Sequence, residues 1–328
     1  MVIKSEFPLE LELPWVEKYR PTKLDDIVGN KDTIESLKRI SQDGNLPHLI
    51  ISGLPGIGKT TSVLCLAKEL LGEQFNNAVL ELNASDDRGI EIVRNKIKQF
   101  AQKKVILPSG IHKIIILDEA DSITPGAQQA LRRTMEIYSN TTRFIFACNL
   151  SNKLIEPLQS RCAILRYNKL QDDEILKKLL EIINLEKIEY TNDGLEALIF
   201  TSEGDMRQAI NNLQSTFYGF KLLNSKNVYK IVDSPHPIII NNMLLKCYNG
   251  EFNNSLIILD KLWLKGYSAI DIVTTSFKVL KTMYNINEVE RLEIIRIVGF
   301  THMRILEGVS TKLQLCCMLS KIAKITRS

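Results

Sequence analysis

Five short apolar runs punctuate the first half of the chain: HLIIS (48–52), AVLEL (78–82), KIIIL (113–117), RFIFA (143–147) and AILRY (163–167). Each is continuous rather than alternating, the pattern of a strand covered on both faces of a parallel sheet. Between them, apolar positions return every three or four residues. Val63, Leu64, Leu66, Ala67, Leu70 and Leu71 follow the first run, Ile90, Val93, Ile97 and Phe100 the second, and AQQALRRTMEIY the third. Strands alternating with helices predict an α/β domain with a parallel sheet. After about residue 168 the pattern becomes helical. DDEILKKLLEIINLEKI is amphipathic, TNDGLEALIFTSEGD opens on capping residues, and DMRQAINNLQSTF makes a third helix. The Pro-rich DSPHPII (233–239) reads as a linker, and 240–328 is helical in pattern throughout. Three regions are expected: an α/β domain over 1–168, a small helical domain over 169–233 and a helical domain over 234–328.

Composition narrows the picture only a little. Two or three domains suit 328 residues, and 45% hydrophobic with 24% charged residues is the balance of a globular chain with ample core. No apolar run approaches the roughly 20 residues of a membrane span, so no membrane partner is expected. The N-terminal MVIKSEFPLELELPW lacks a basic segment leading into an apolar one, so no secretory signal is expected, which leaves cytosol or nucleus. The net charge of +4 is too mild to establish an anionic partner. Six cysteines without C-x-x-C spacing and four histidines outline no metal cluster; Cys65 and Cys148, inside apolar segments, read as reduced buried thiols.

The chemistry begins at GLPGIGKT, which matches G-x-x-x-x-G-K-[ST] at Gly53, Gly58, Lys59 and Thr60, with a predicted strand before it and a helix after. Glycines let successive backbone N–H groups turn inward around an anion, and the helix start adds its positive dipole end. Lys59 would reach the β- and γ-phosphates of a nucleotide, and the Thr60 hydroxyl would ligate Mg²⁺. A second constellation is KIIILDEAD, where a strand delivers Asp118 and Glu119 to the end at which open α/β sheets bind ligands. Asp118 would serve the metal shell, and Glu119 would polarise the attacking water. Asn149 closes RFIFACN, where a neutral amide would position water near the γ-phosphate.

An ordered set of stretches carries a resemblance: PWVEKYRP, DIVGN, GLPGIGKTT, LELNASDDRGI, IIILDEADSIT, AQQALRRTMEIYS, SRC, GDMRQAINNLQS and, far downstream, GFTHMRI. The chain resembles a AAA+ ATPase and, more narrowly, a small subunit of replication factor C, the eukaryotic sliding-clamp loader. The resemblance implies an α/β P-loop AAA+ domain with a parallel five-stranded sheet (1–168), a helical lid domain (169–233) and an all-helical C-terminal collar for oligomerisation (234–328). It implies ATP and Mg²⁺ as cofactors. It also implies a hetero-pentamer with one large and three other small subunits, which opens a PCNA-type sliding clamp and places it on primer-template DNA during replication and repair, in the nucleus. Gly53, Leu54, Pro55, Gly56, Ile57, Gly58, Lys59, Thr60 and Thr61 would hold the nucleotide, together with Asn149. Val16, Arg20 and Val28 would border the adenine. Arg207, in GDMRQ, would touch the nucleotide from the lid of the same chain. Arg161, in SRC, would be an arginine finger acting in trans on a neighbour's γ-phosphate, for which a planar, permanently charged fork is suited. The loop departs from the family's common GPPGTGKT at Leu54 and Ile57, both variable positions of the motif, so a competent site is expected.

From Arg88 to Lys104 six basic residues face one acid, Glu91. Arg94 and Lys98 stand one turn apart on an exposed flank, where they would track phosphates without reading bases; a solvated basic face is the alternative. With the resemblance, Arg88, Arg94 and Lys98 are the candidates for DNA contact. Arg132 and Arg133 would either link DNA to the ATP site or be surface charges. A different AAA+ machine, such as a branch-migration motor, would share the phosphate loop but is not expected to carry SRC and NASDDRG together. A scaffold that binds nucleotide without needing hydrolysis, or a subunit of an alternative loader, are the other readings.

Overall fold

The structure, a computed structural model, describes residues 13–85, 90–105, 107, 108, 110–283 and 286–325, the side chains of 90–94 excepted. The chain divides into two compact units, Met1–Asn224 and Ser225–Ser328. The first holds a five-stranded sheet of β1 (Leu49–Ser52), β2 (Val79–Asn83), β3 (Lys113–Asp118), β4 (Thr142–Cys148) and β5 (Ala163–Arg166), in the order β2-β3-β4-β1-β5. Every pairing is parallel, so all five C-terminal strand ends point to one edge.

Continuous burial on both faces holds for the three central strands. Leu49 to Ile51, Ile114 to Leu117 and Phe144 to Cys148 are at most 1% exposed. It does not hold at the edges: all of β5 except the half-buried Leu165 is exposed, and Leu82 is the buried residue of β2. An edge strand has a neighbour on one side only, so an apolar run there need not be covered twice.

Helices α1 (Trp15–Lys18), α2 (Lys31–Asp43), α3 (Lys59–Leu71), α4 (Phe75–Ala78), α5 (Ile90–Gln102), α6 (Pro125–Ile137) and α7 (Glu156–Gln159) surround the sheet. One core packs Ile97 of α5 and Ala127, Leu131 and Met135 of α6 against Ile115, Leu117, Phe144 and Phe146. Then come α8 (Asp172–Glu186), α9 (Asn192–Ser202) and α10 (Met206–Phe220), with a two-residue parallel pair of strands, β6 (Glu189–Tyr190) and β7 (Leu222–Leu223), that the helical pattern did not announce.

The second unit consists of α11 (Ser225–Val232), α12 (Pro237–Tyr248), α13 (Phe252–Leu264), α14 (Ala269–Thr282), α15 (Glu288–Leu306) and α16 (Lys312–Ile325). Helices α12 to α16 enclose a separate core that includes Leu244, Leu259, Ile272, Leu280, Val298 and Leu319. The Pro-rich stretch lies inside this unit, joining α11 to α12 and supplying the first turn of α12. Pro237 opens α12, where its missing N–H costs no hydrogen bond, and the His236 ring accepts from the Ile238 N–H at 3.3 Å. Among the described residues no helix is long and apolar enough to cross a membrane.

Candidate active site

The loop between β1 and α3 turns through Gly56 (φ 68°) and Gly58 (φ 93°), left-handed backbone that glycine adopts without a Cβ clash. At Gly56 a side chain is excluded twice over, because a Cβ would meet Asp205 Oδ1 at 1.7 Å. Asp205 caps α10 by accepting from Gln208 N–H at 3.0 Å, and the Met206 N–H donates to Gly56 O at 3.1 Å. The loop is thus joined directly to the helix start that carries Arg207.

Lys59, the first residue of α3, is 8% exposed. Its ammonium donates to Gly53 O and Leu54 O, each at 2.7 Å, and to Asn149 Oδ1 at 2.9 Å. Burial lowers its pKa, and the carboxylate of Asp118 opposes that shift. Next to it, the Thr60 hydroxyl donates to Asp118 Oδ2 at 2.8 Å. Asp118 Oδ1 accepts from the Glu119 N–H at 2.9 Å. Glu119 itself sits in the left-handed region (φ 51°, ψ 38°), at the sharp exit from β3. For a non-glycine residue that backbone costs of order 1 kcal/mol and recurs at functional turns.

These groups border one cleft of about 460 Å³. Pro55, Gly56, Ile57, Gly58, Lys59, Thr60, Thr61, Asp118, Glu119 and Asn149 line it from the sheet edge, Val16, Arg20 and Val28 from the N-terminal segment, and Arg207 from α10. Gly53 and Leu54 are not in the lining; they serve it through the carbonyls that hold Lys59. Burial pushes the thiol of Cys148, another lining residue, up to about 11, so this part of the wall is neutral.

Sequence reasoning missed part of the wall: Tyr19, Ile27, Leu170, Lys178, Met206, Ile210 and Asn211 also line the cleft. Lys178 is one of two adjacent lysines on an amphipathic helix and offered no signal. Tyr19 stood inside PWVEKYRP beside residues that were singled out. That segment is fastened to the helices after the sheet. Trp15 is 2% exposed, packs on Phe217 and Tyr218 at ring distances of 5.6 and 5.9 Å, and donates its backbone N–H to Gln214 Oε1 at 3.1 Å. Lys18 Nζ lies 2.5 Å from Glu186, which also accepts from the Tyr19 hydroxyl; both bonds hold the Glu186 carboxyl below its usual range.

Arg161 is not among the cleft-lining residues. It follows α7 and pairs with Glu136 of α6 at 2.7 Å, its side chain 36% exposed. Of the candidates for DNA contact, Lys98 is an exposed residue of α5, whereas Arg88 and the side chain of Arg94 lie outside the described residues.

A glycine loop entering a helix, a lysine and threonine at its end, a polar amide closing the neighbouring strand β4 and an acid pair closing β3 beyond it define a P-loop nucleotide-binding ATPase. Comparison with known proteins narrows the class. Residues 49–170 match the ATPase family associated with various cellular activities (AAA), and residues 235–321 match the replication factor C C-terminal domain. The chain is 68% identical to replication factor C subunit 4 of Saccharomyces cerevisiae, over 97% of this chain and 98% of the yeast protein. Identity is 57% to replication factor C subunit 2 of Arabidopsis thaliana, over 94% and 93% of the two chains. It is 42% to the replication factor C small subunit of Methanococcus vannielii, over 95% and 99%. Among solved structures, the Holliday junction branch migration motor RuvB of Thermotoga maritima is similar at a TM-score of 0.54, with 20% identity, over 66% of this chain and 72% of that one; this is a likeness of fold. The chain belongs to the replication factor C family: it is a nucleotide-binding AAA ATPase subunit of a clamp loader that assembles with other replication factor C subunits.

Proposed function

We propose that this chain is one of four small subunits which, with one large subunit, form a hetero-pentamer that opens a PCNA-type clamp and places it on primer-template DNA in the nucleus. Within the chain, 1–168 would be the nucleotide-binding domain, 169–233 the lid and 234–328 the collar. The observation that carries the proposal is the division of the catalytic set. One cleft collects Lys59, Thr60, Asp118, Glu119, Asn149 and Arg207, while Arg161 sits on an exposed surface away from it. An arginine that does not line its own cleft is available to a neighbour's.

In this reading Gly56, Gly58 and their neighbours cradle the phosphates through backbone N–H groups, and Lys59 gives up a loop carbonyl to meet the γ-phosphate. Val16, Arg20 and Val28 border the adenine. Glu119 holds the attacking water for proton removal, Asn149 orients it, and Arg207 reads the phosphates from the lid. Thr60 and Asp118 offer a hydroxyl and a carboxylate, the hard oxygen donors that Mg²⁺ takes alongside nucleotide phosphates. When bound, the ion would offset charge on the β- and γ-oxygens. Arg161 would stabilise the spreading charge on the neighbour's γ-phosphate. Lys98, with Arg88 and Arg94, would follow the DNA backbone.

Native mass and subunit composition of the assembly purified from its own cells test the proposal. Five AAA+ chains, one large and four small and different, are expected. A homo-hexamer, or this chain alone, overturns it.

A further inference from the structure

The carboxylate that holds Arg161 is part of a three-residue arrangement near the C-terminal end of α6. One oxygen of Glu136, Oε1, accepts from Arg132 Nε at 3.2 Å, one helical turn back, and from Arg161 Nη2 at 2.7 Å. Arg161 Nη1 donates to Pro157 O, in α7, at 2.8 Å. A guanidinium carries five N–H donors in one plane. Bonds from both terminal nitrogens to fixed acceptors set that plane. They leave the Nε–H and one N–H on each terminal nitrogen for an incoming anion.

All three side chains are between 36% and 42% exposed. A surface ion pair of this kind contributes little to folding. Its consequence is orientation. An arginine side chain has four rotatable bonds, and a finger that must reach a phosphate on another subunit loses rate if it first has to be ordered. Both acceptors belong to the finger's own chain, so the order exists before the neighbour arrives. Arg132 completes the arrangement by holding the same carboxylate oxygen from the other side.

We propose that Glu136 is a positioning residue for the arginine finger: it fixes the plane of the Arg161 guanidinium so that its free N–H edge faces the neighbouring subunit's γ-phosphate. The proposal rests on the reading of Arg161 as a residue acting in trans.

The test uses the reconstituted complex carrying variants in this chain. Arg161→Ala defines the finger-dependent share of ATP turnover. Glu136→Gln, which keeps shape and removes charge, should lower kcat for that share about 5- to 10-fold, the size of one ordinary net hydrogen bond, with KM for ATP unchanged. ATP affinity of this chain's own cleft and its unfolding midpoint should not move. Glu136→Asp should recover part of the loss, and Glu136→Gln should have no further effect in the Arg161→Ala background. Wild-type or faster turnover in Glu136→Gln overturns the proposal, as does an additional loss in the Arg161→Ala background. If Arg161→Ala itself leaves turnover intact, the trans reading fails and this inference with it. If Arg161→Ala is defective while Glu136→Gln is silent, the inference alone fails.

Discussion

Among the described residues, the buried charged side chains are two lysines at opposite ends of the same sheet: Lys59, 8% exposed, and Lys113, 5% exposed. Each donates to three oxygens. For Lys113, the first residue of β3, they are Phe100 O at 3.0 Å, Ala101 O at 2.5 Å and Lys103 O at 2.8 Å. Two of these belong to the last turn of α5, whose carbonyls have no donor within the helix. Burial lowers the pKa of both lysines, but the next influence differs. Asp118 opposes the shift at Lys59, whereas the charge of Lys103 adds to it at Lys113. Burial and satisfied hydrogen bonds therefore do not mark a functional lysine. A glycine loop, a carboxylate and a cleft beside it do. Lys113 is a helix cap that fixes the end of α5, and Lys59, in the function proposed above, would exchange its acceptors for a phosphate.

The largest effects should separate the two ends cleanly. Lys59→Ala should weaken ATP binding by a factor of about 100 or more and abolish turnover; Glu119→Gln should keep binding and lose turnover by about 100-fold. Nucleotide titration beside a turnover assay checks both. Wild-type turnover in Glu119→Gln would point to a nucleotide-binding scaffold.

A smaller and opposite effect is expected from Lys113→Met. Three carbonyls lose the ammonium, although Phe100 O keeps the Lys103 N–H at 3.2 Å, so denaturant unfolding should show a loss of about 2 kcal/mol while ATP affinity per folded molecule stays the same. A loss of affinity as large as that of Lys59→Ala would erase the distinction between the two lysines.

The smallest effect concerns pH at Lys113's end of the sheet. His48 precedes β1, and its Nδ1 accepts from the Phe144 N–H at 3.1 Å. Burial first, then the charges of Arg143 and His112, lower its pKa from 6.5 to about 4. The unfolded chain therefore takes up a proton first as pH falls. The contribution of His48 to stability is complete above about pH 6.5 and is lost progressively towards pH 4. His48→Gln should flatten the decline in unfolding midpoint over that window. The flattening should be partial, because His112 is shifted in the same direction by its own burial. An unchanged slope would mean that His48 titrates normally.

Much of the sheet domain was legible because its signals are local. The five apolar runs became the five strands, and GLPGIGKT and DEAD came to the C-terminal edge through the βα pattern alone. Arg207 was named from GDMRQ by family likeness, and the structure gives the contact that brings it to the loop, Met206 N–H to Gly56 O at 3.1 Å. Lys178 and the roles of Lys113 and Glu136 left no mark in the sequence, because a lysine on an amphipathic helix, a lysine opening a strand and an i, i+4 acid look alike wherever they occur.

The sequence by itself determined the strands of the large sheet, the phosphate loop, the acid pair and the family, since each depends on spacings of a few residues read through backbone geometry. Tertiary structure decided which strands are edges, which lysine caps a helix, and how the N-terminal segment becomes a wall of the cleft. Trp15 and Gln214 are 199 residues apart in sequence and 3.1 Å apart in space. Such a pairing follows from packing that closes a long loop, and no local pattern of side chains encodes it.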